Sequence, residues 1–324
     1  MHQSEPRIVF MGTPAFAVAS LRALLGSSED SAPAGRVVGV FTQPDRPAGR
    51  RGLVTPSPVK EAALAAGIPV LQPERLRAPE GFAMLESVAP DLIVVAAYAH
   101  ILSQRILDLP RFGCLNVHAS LLPLYRGASP VSAAILDGQT TSGVSIMLME
   151  AGLDTGPVLS QASLPIETDD TTASLTEKLA RLGAEELAAT IGPWVEGRIE
   201  PRPQDEALAT MTRPLRKEDG LIHWSRPARY IARQARAMFP WPGAFTPMHG
   251  TILKVLAAEA VTHAVPPGLE PGRVTQVGGE PFVGTGEGAL RLTRVQPAGR
   301  KGMSGAEWLR GSPAAIGGVL GEPG

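Results

Sequence analysis

Near-continuous apolar runs, not alternating ones, recur through the first half of the chain. They read "RIVFM" at 7–11, "RVVGVF" at 36–41, "DLIVVAAY" at 91–98, "GCLNVH" at 113–118 and "GVSIMLM" at 143–149. A strand that is apolar at every position must be covered on both faces. The cover is also in the sequence, because the helical patterns "VASLRALLGS" and "SPVKEAALAAGI" and a helix near 80–88 fall between the runs. This alternation predicts an α/β class with a Rossmann-like, mostly parallel sheet. Ligands of such sheets lie beyond the carboxyl ends of the strands.

The second half changes character. A helix over 172–191 carries Leu175, Leu179, Leu182 and Leu187 at helical spacing. The stretch 193–212 is polar, proline-bearing and aperiodic, and reads as a linker. An amphipathic helix at 227–239 precedes short strands, "TILKVLAAEAV", "GRVTQV", "PFVGTG" and "ALRLTRVQP", separated by Gly and Pro. That pattern predicts a small C-terminal β-barrel, OB-like in type. The expected organisation is a domain over 1–192, a linker over 193–212, a barrel over 213–312 and a fraying tail over 313–324.

Charge divides along the same line. Up to Ala209 there are 16 Lys and Arg against 23 Asp and Glu; beyond it the figures are 14 and 8. A basic C-terminal part suits a polyanionic partner, although domains also differ by a few charges without one. The apolar run "LIVVAAYAHIL" is too short to span a bilayer. "IVFM" is too short for a signal peptide. A cytoplasmic monomer without membrane attachment is the expectation. The single cysteine, Cys114, gives neither a disulfide framework nor a metal cluster, and reads as core. "MGTPAF" after the first run lacks a dinucleotide fingerprint, and no P-loop or nucleophile elbow follows elsewhere.

Chemistry concentrates in "GCLNVHASLLPLYRGASP" (113–130). Asn116 and His118 are two apart, so in a strand they project from one face. Either they cap the strand end as satisfied polar groups, or they set an amide donor and an imidazole base over the crevice. Asp154, in "MEAGLDTGPVL", is either a turn aspartate bonding its own backbone or a carboxylate that orients His118. On a parallel arrangement of the preceding strands, its loop emerges on the same side as the loop after His118. Arg126 suits an anionic substrate group or plain exposure. Arg229, Arg233 and Arg236 share a helical face and, with Lys254, Arg300 and Lys301, suit phosphate contacts.

"NVHASLLPLYRGASP" together with "TSGVSIMLMEAGLDTGPVL" resembles the folate-dependent formyltransferases. "VFTQPDRPAGRRGLVTPSPVK" (40–60) is similar to the substrate-recognition loop of the members that act on methionyl-tRNA. "FPWPGAF" and "QPAGRKGMSGAEWL" are similar to their C-terminal domain. The resemblance spans Arg7 to Leu309. It implies Asn116, His118 and Asp154 as the catalytic trio, and Ser120, Leu121, Leu122 and Pro123 as the lining of the folate site. It implies Arg46, Arg50 and Arg51 as tRNA contacts, 10-formyltetrahydrofolate as formyl donor, methionyl-initiator tRNA as acceptor, and no metal. In the family pattern Lys-Lys follows the loop's Gly-Arg; here Arg51, Gly52, Leu53 and Val54 stand instead.

Overall fold

In the computed structural model the described residues are 5–26, 35–48, 53–98, 100–248, 250–261 and 268–321. They divide into two units: the first takes residues up to 130, 141–164 and 176–212, and the second takes 131–140, 165–175 and 213 onward.

In chain order the elements begin with β1 (Arg7–Gly12), α1 (Ala15–Leu24) and β2 (Arg36–Phe41). A short antiparallel hairpin follows, β3 (Arg46–Ala48) against β4 (Leu53–Thr55). The Ser57 hydroxyl then caps α2 (Pro58–Ala65), accepting from the Lys60 N–H at 3.1 Å. Next come β5 (Val70–Leu71), α3 (Pro79–Val88), β6 (Leu92–Ala96), the single turn α4 (Gln104–Leu107) and β7 (Cys114–His118). They are followed by β8 (Arg126–Gly127), α5 (Pro130–Asp137), β9 (Thr141–Leu148), β10 (Val158–Pro165), α6 (Thr172–Val195) and β11 (Met211–Thr212).

Seven of these strands form one sheet in the order β10-β9-β7-β6-β1-β2-β5. From β5 to β7 neighbouring strands are parallel. The continuous apolar runs are explained by their two-sided burial. Ile8, Phe10, Leu92, Val94, Leu115 and Val117 pack with Leu21, Ala63, Leu187 and Ile191 on one face. Val9, Met11, Ile93, Val95 and Cys114 pack with Phe82, Leu85 and Ile106 on the other. Each fully buried side chain of this kind contributes roughly 1.5–3 kcal/mol.

One expectation fails here. β9 runs antiparallel to β7, with Leu115 opposite Leu148 and His118 opposite Ser145. The chain therefore leaves β9 at the far end of β7 from His118, and Asp154 reaches the site by another route, described below.

The second unit is antiparallel. α7 (Ala228–Ala237) precedes β12 (Ala244–Met248), β13 (Thr251–Val261), β14 (Val274–Val277), β15 (Glu280–Gly284), β16 (Ala289–Pro297), β17 (Met303–Ser304) and α8 (Gly305–Gly311). The sheet order is β12-β13-β16-β15-β14, with β17 on β16. Its core joins Ile231 and Ala235 of α7 to Leu253, Val255, Leu290, Leu292 and Trp308. Residues 317–321, expected to fray, bond to both sheet edges. Gly317 N–H donates to Val274 O of β14, Val274 N–H donates to Gly318 O, and Gly321 N–H donates to Pro247 O of β12 at 3.0 Å. The tail thus joins the two edges, with Ala315 and Leu320 buried beneath it. Among the described residues no helix is long and apolar enough to cross a membrane.

Candidate active site

β7 ends where its apolar pattern is broken, and both interrupting side chains face one group. Asn116 Nδ2 donates to Asp154 Oδ1 at 3.4 Å, and His118 Nδ1 lies 3.7 Å from Asp154 Oδ2. Asp154 gets there because the nine residues between β9 and β10 fold back. Gly156 makes this possible: a Cβ there would fall 1.9 Å from Leu148 O. Asp154 itself has a left-handed backbone, φ 53°, which Asp tolerates better than most residues. Its Oδ2 also accepts the Gly127 N–H at 2.8 Å.

The other imidazole nitrogen fixes the tautomer. His118 Nε2 is 3.0 Å from the Tyr125 carbonyl, which can only accept, so Nε2 carries the proton. Nδ1 is then the ring's lone pair, on the side of the Asp154 carboxylate. His118 is 7% exposed and Asp154 14%. An imidazole lone pair and an amide donor, joined through one sparingly hydrated carboxylate, can accept a proton and stabilise a developing oxyanion at adjacent points.

The loop after β7 is held by bonds within the first unit. Ser120 Oγ donates to Leu124 O at 2.6 Å, Leu122 N–H to Ser145 Oγ at 3.0 Å, and Ser145 Oγ to Ser120 O at 2.7 Å. Gln161 Nε2 donates to Leu122 O and to Ser145 Oγ. Leu122–Pro123 is a cis peptide. Ser120 and Leu122 point inward and are buried, whereas Leu121 and Pro123 stay half-exposed.

Arg46 is exposed in β3, and Arg50 and Arg51 lie outside the described residues. The base of that hairpin is pinned. Lys60 Nζ donates to Asp45 Oδ2 at 2.5 Å and to Gln72 Oε1 at 2.8 Å, while Gln72 Nε2 donates to Gln43 O and Asp45 Oδ1. The Lys60 bond, then the Gln72 bond, holds the Asp45 carboxyl below its ordinary value. Burial first, then Arg46 and Arg77, lowers His100.

Arg126 fits neither of its sequence-based alternatives. It is buried at 3% exposure, with Nη1 and Nη2 on the Glu206 carboxylate at 2.9 and 2.6 Å and Nε on Gln204 Oε1 at 3.0 Å. In the second unit Arg233 Nε donates to Leu136 O at 2.9 Å and Arg236 Nη1 to Asp170 O at 2.7 Å. Both arginines thus bond chain carbonyls where phosphates were expected. Cys114 is core, its thiol pushed up to about 12 by burial and, secondarily, by Asp108. Among the described residues no three His, Cys, Asp or Glu side chains converge to hold a metal ion.

The sequence reading missed Gln204, Glu206, Ser145 and Gln161. The left-handed turn "GLDTG" offers a signal for the first, since its buried carbonyls must find donors somewhere.

Comparison with known proteins bears on both units. Residues 6–191 match the formyl transferase family model, and residues 214–313 match the model for the formyl transferase C-terminal domain. A methionyl-tRNA formyltransferase of Chloroflexus aggregans is 50% identical over 94% of this chain and 97% of its own. One of Bacillus subtilis is 45% identical over 97% and 98%. Among solved structures, HypX of Aquifex aeolicus in complex with tetrahydrofolic acid aligns with TM-score 0.60 at 18% identity, covering 98% of this chain and 48% of that one.

Proposed function

The chain belongs to the formyl transferase family, and on that premise we infer that it moves a formyl group from a folate donor to the amino group of methionyl-tRNA. The donor is 10-formyltetrahydrofolate and the acceptor is the charged initiator tRNA. One observation supports assigning the chemistry to named residues: Asp154, distant in sequence, comes within 3.4 Å of Asn116 and 3.7 Å of His118 at the end of β7.

The roles follow from atom positions. An α-amine has a pKa of about 8, so part of it is neutral and nucleophilic near pH 7. Its nitrogen attacks the formyl carbon, forming a C–N bond and placing negative charge on the formyl oxygen. The Asn116 amide has two N–H groups. One is engaged by Asp154, and the other serves the oxyanion. His118 takes the amine proton at Nδ1, and the imidazolium so formed sits beside the Asp154 carboxylate. Collapse breaks the bond between the formyl carbon and the folate nitrogen, and the proton on His118 passes to that nitrogen. Ser120 to Pro123 line the folate pocket, with Leu121 and Pro123 as the half-exposed side chains. Because this loop is already bonded in place, less ordering cost falls on binding.

Arg46, Arg50 and Arg51 contact the tRNA, and the basic C-terminal unit adds salt-sensitive backbone contacts. The test is formylation by purified protein with charged initiator, uncharged initiator and charged elongator tRNA. Formylmethionyl-tRNA from the charged initiator alone supports the assignment. Donor hydrolysis without transfer would move the chain to a hydrolase.

A further inference from the structure

We propose that Gln204 is a positioning residue for the transfer, holding Asp154 in the left-handed backbone that sets its carboxylate between Asn116 and His118. The proposal rests on the roles given above to those three residues.

A left-handed residue with a side chain persists only where its surroundings enforce it. Gln204 supplies that enforcement at two points. Its Nε2 donates to Asp154 O at 2.8 Å and to Gly156 O at 2.7 Å, so one amide grips the chain at and just beyond the left-handed residue. The orientation of the amide is determined by Arg126, whose Nε can only donate and therefore selects Oε1. Arg126 in turn is fixed by its two bonds to Glu206.

The same short segment also ties down the His118 side. Tyr125 N–H donates to Thr210 Oγ1 at 2.7 Å, Arg126 N–H to Thr210 O at 2.9 Å, and Thr212 Oγ1 to Arg126 O at 3.0 Å. These bonds fix the segment whose Tyr125 carbonyl accepts from His118 Nε2 and whose Gly127 N–H donates to Asp154 Oδ2. Residues 204–212 thus clamp both partners of the site. Gln204 is the member that acts on the backbone of the carboxylate residue itself.

Two variants of the full chain separate this role from plain structural support. Gln204→Met keeps the length and removes donor and acceptor. Gln204→Glu keeps an oxygen for Arg126 but loses the donor to both carbonyls. Steady-state formylation with each substrate varied, alongside thermal melting, reads the result. Since a ~1 Å misplacement costs about 10²-fold in rate, kcat should fall about 10- to 100-fold in both, with KM for either substrate little changed. Both variants leave two carbonyls without a donor and should melt below wild type. Gln204→Glu, which keeps the bond to Arg126, should melt no lower than Gln204→Met yet lose at least as much activity. Full kcat in Gln204→Glu would overturn the proposal, because support for Arg126 alone would then suffice. A loss confined to KM would overturn it equally. An inactive wild type would overturn the functional reading itself, and is seen before any variant is compared.

Discussion

Spacing alone places two sets of polar residues on common faces: Asn116 and His118 in β7, and Arg229, Arg233 and Arg236 in α7. The structure uses them in opposite ways. The first pair meets Asp154 at the strand's end, with a lone pair and an N–H left for chemistry. In the second set, Arg233 and Arg236 satisfy carbonyls of their own unit, and Arg229 lies 3.4 Å from Glu287. A face fixed by periodicity does not reveal what covers it. Beyond the end of a parallel strand the backbone has no ladder to extend and polar groups converge on a ligand. On a packed helix face, a neighbouring helix end and a loop bring carbonyls that need donors.

The sharpest way to break this contrast is to remove the β7 site. Asn116→Ala, His118→Ala and Asp154→Ala should each lower kcat by about 10²–10⁴. His118→Ala and Asp154→Ala also leave the Tyr125 carbonyl and the Gly127 N–H without their partners, which lowers stability by about 1–3 kcal/mol with the fold retained. A variant retaining full turnover would put the catalytic groups elsewhere.

The arginines should behave in reverse. Arg233→Ala and Arg236→Ala each leave a carbonyl without its donor, which costs about 1–3 kcal/mol of stability in urea unfolding. The slope of log affinity for tRNA against log salt should stay unchanged. Replacing exposed Lys254, Arg300 or Lys301 should reduce that slope by about one per phosphate contact, with little loss of stability. A reduced slope for Arg233→Ala would erase the distinction between the two sets.

Much of this was legible in the sequence. The parallel sheet followed from runs that are buried on both faces, and the pair Asn116 and His118 from an apolar strand interrupted at its end. Asp154 was joined to them on a parallel strand order that β9 does not follow. The antiparallel turn at β9 was not legible, because "GVSIMLM" is as apolar as its parallel neighbours and periodicity carries no direction. The clamp at 204–212 was not legible either. Its side chains bond to a turn about 50 residues away, and local polarity reads the same for a linker as for a strap.

That strap has a pH signature. The bond from Arg126 holds the Glu206 carboxyl below its ordinary 4.5. A depressed carboxyl contributes stability that is fully present above its unfolded value and is lost as pH falls through the folded value. Melting temperature should therefore drop on acidification below about 4.5, and Glu206→Gln should show a shallower drop than wild type. Equal acid profiles would mean that the Arg126 pair contributes nothing measurable.

The smallest effect comes from β7 itself. Cys114, Asn116 and His118 alternate onto one face, yet Cys114 packs under α4 with its thiol 3.9 Å from Ile106 O. Burial pushes that thiol up to about 12, so near pH 8 it holds almost no thiolate, the reactive form. Iodoacetamide at pH 8 should leave the native enzyme unmodified and fully active, and should label one thiol per chain after unfolding. Native labelling with loss of activity would show that the cover over this face opens. The open end of β7 would then extend two residues deeper than Asn116, and the division between the packed and the reactive part of the strand would have to be redrawn.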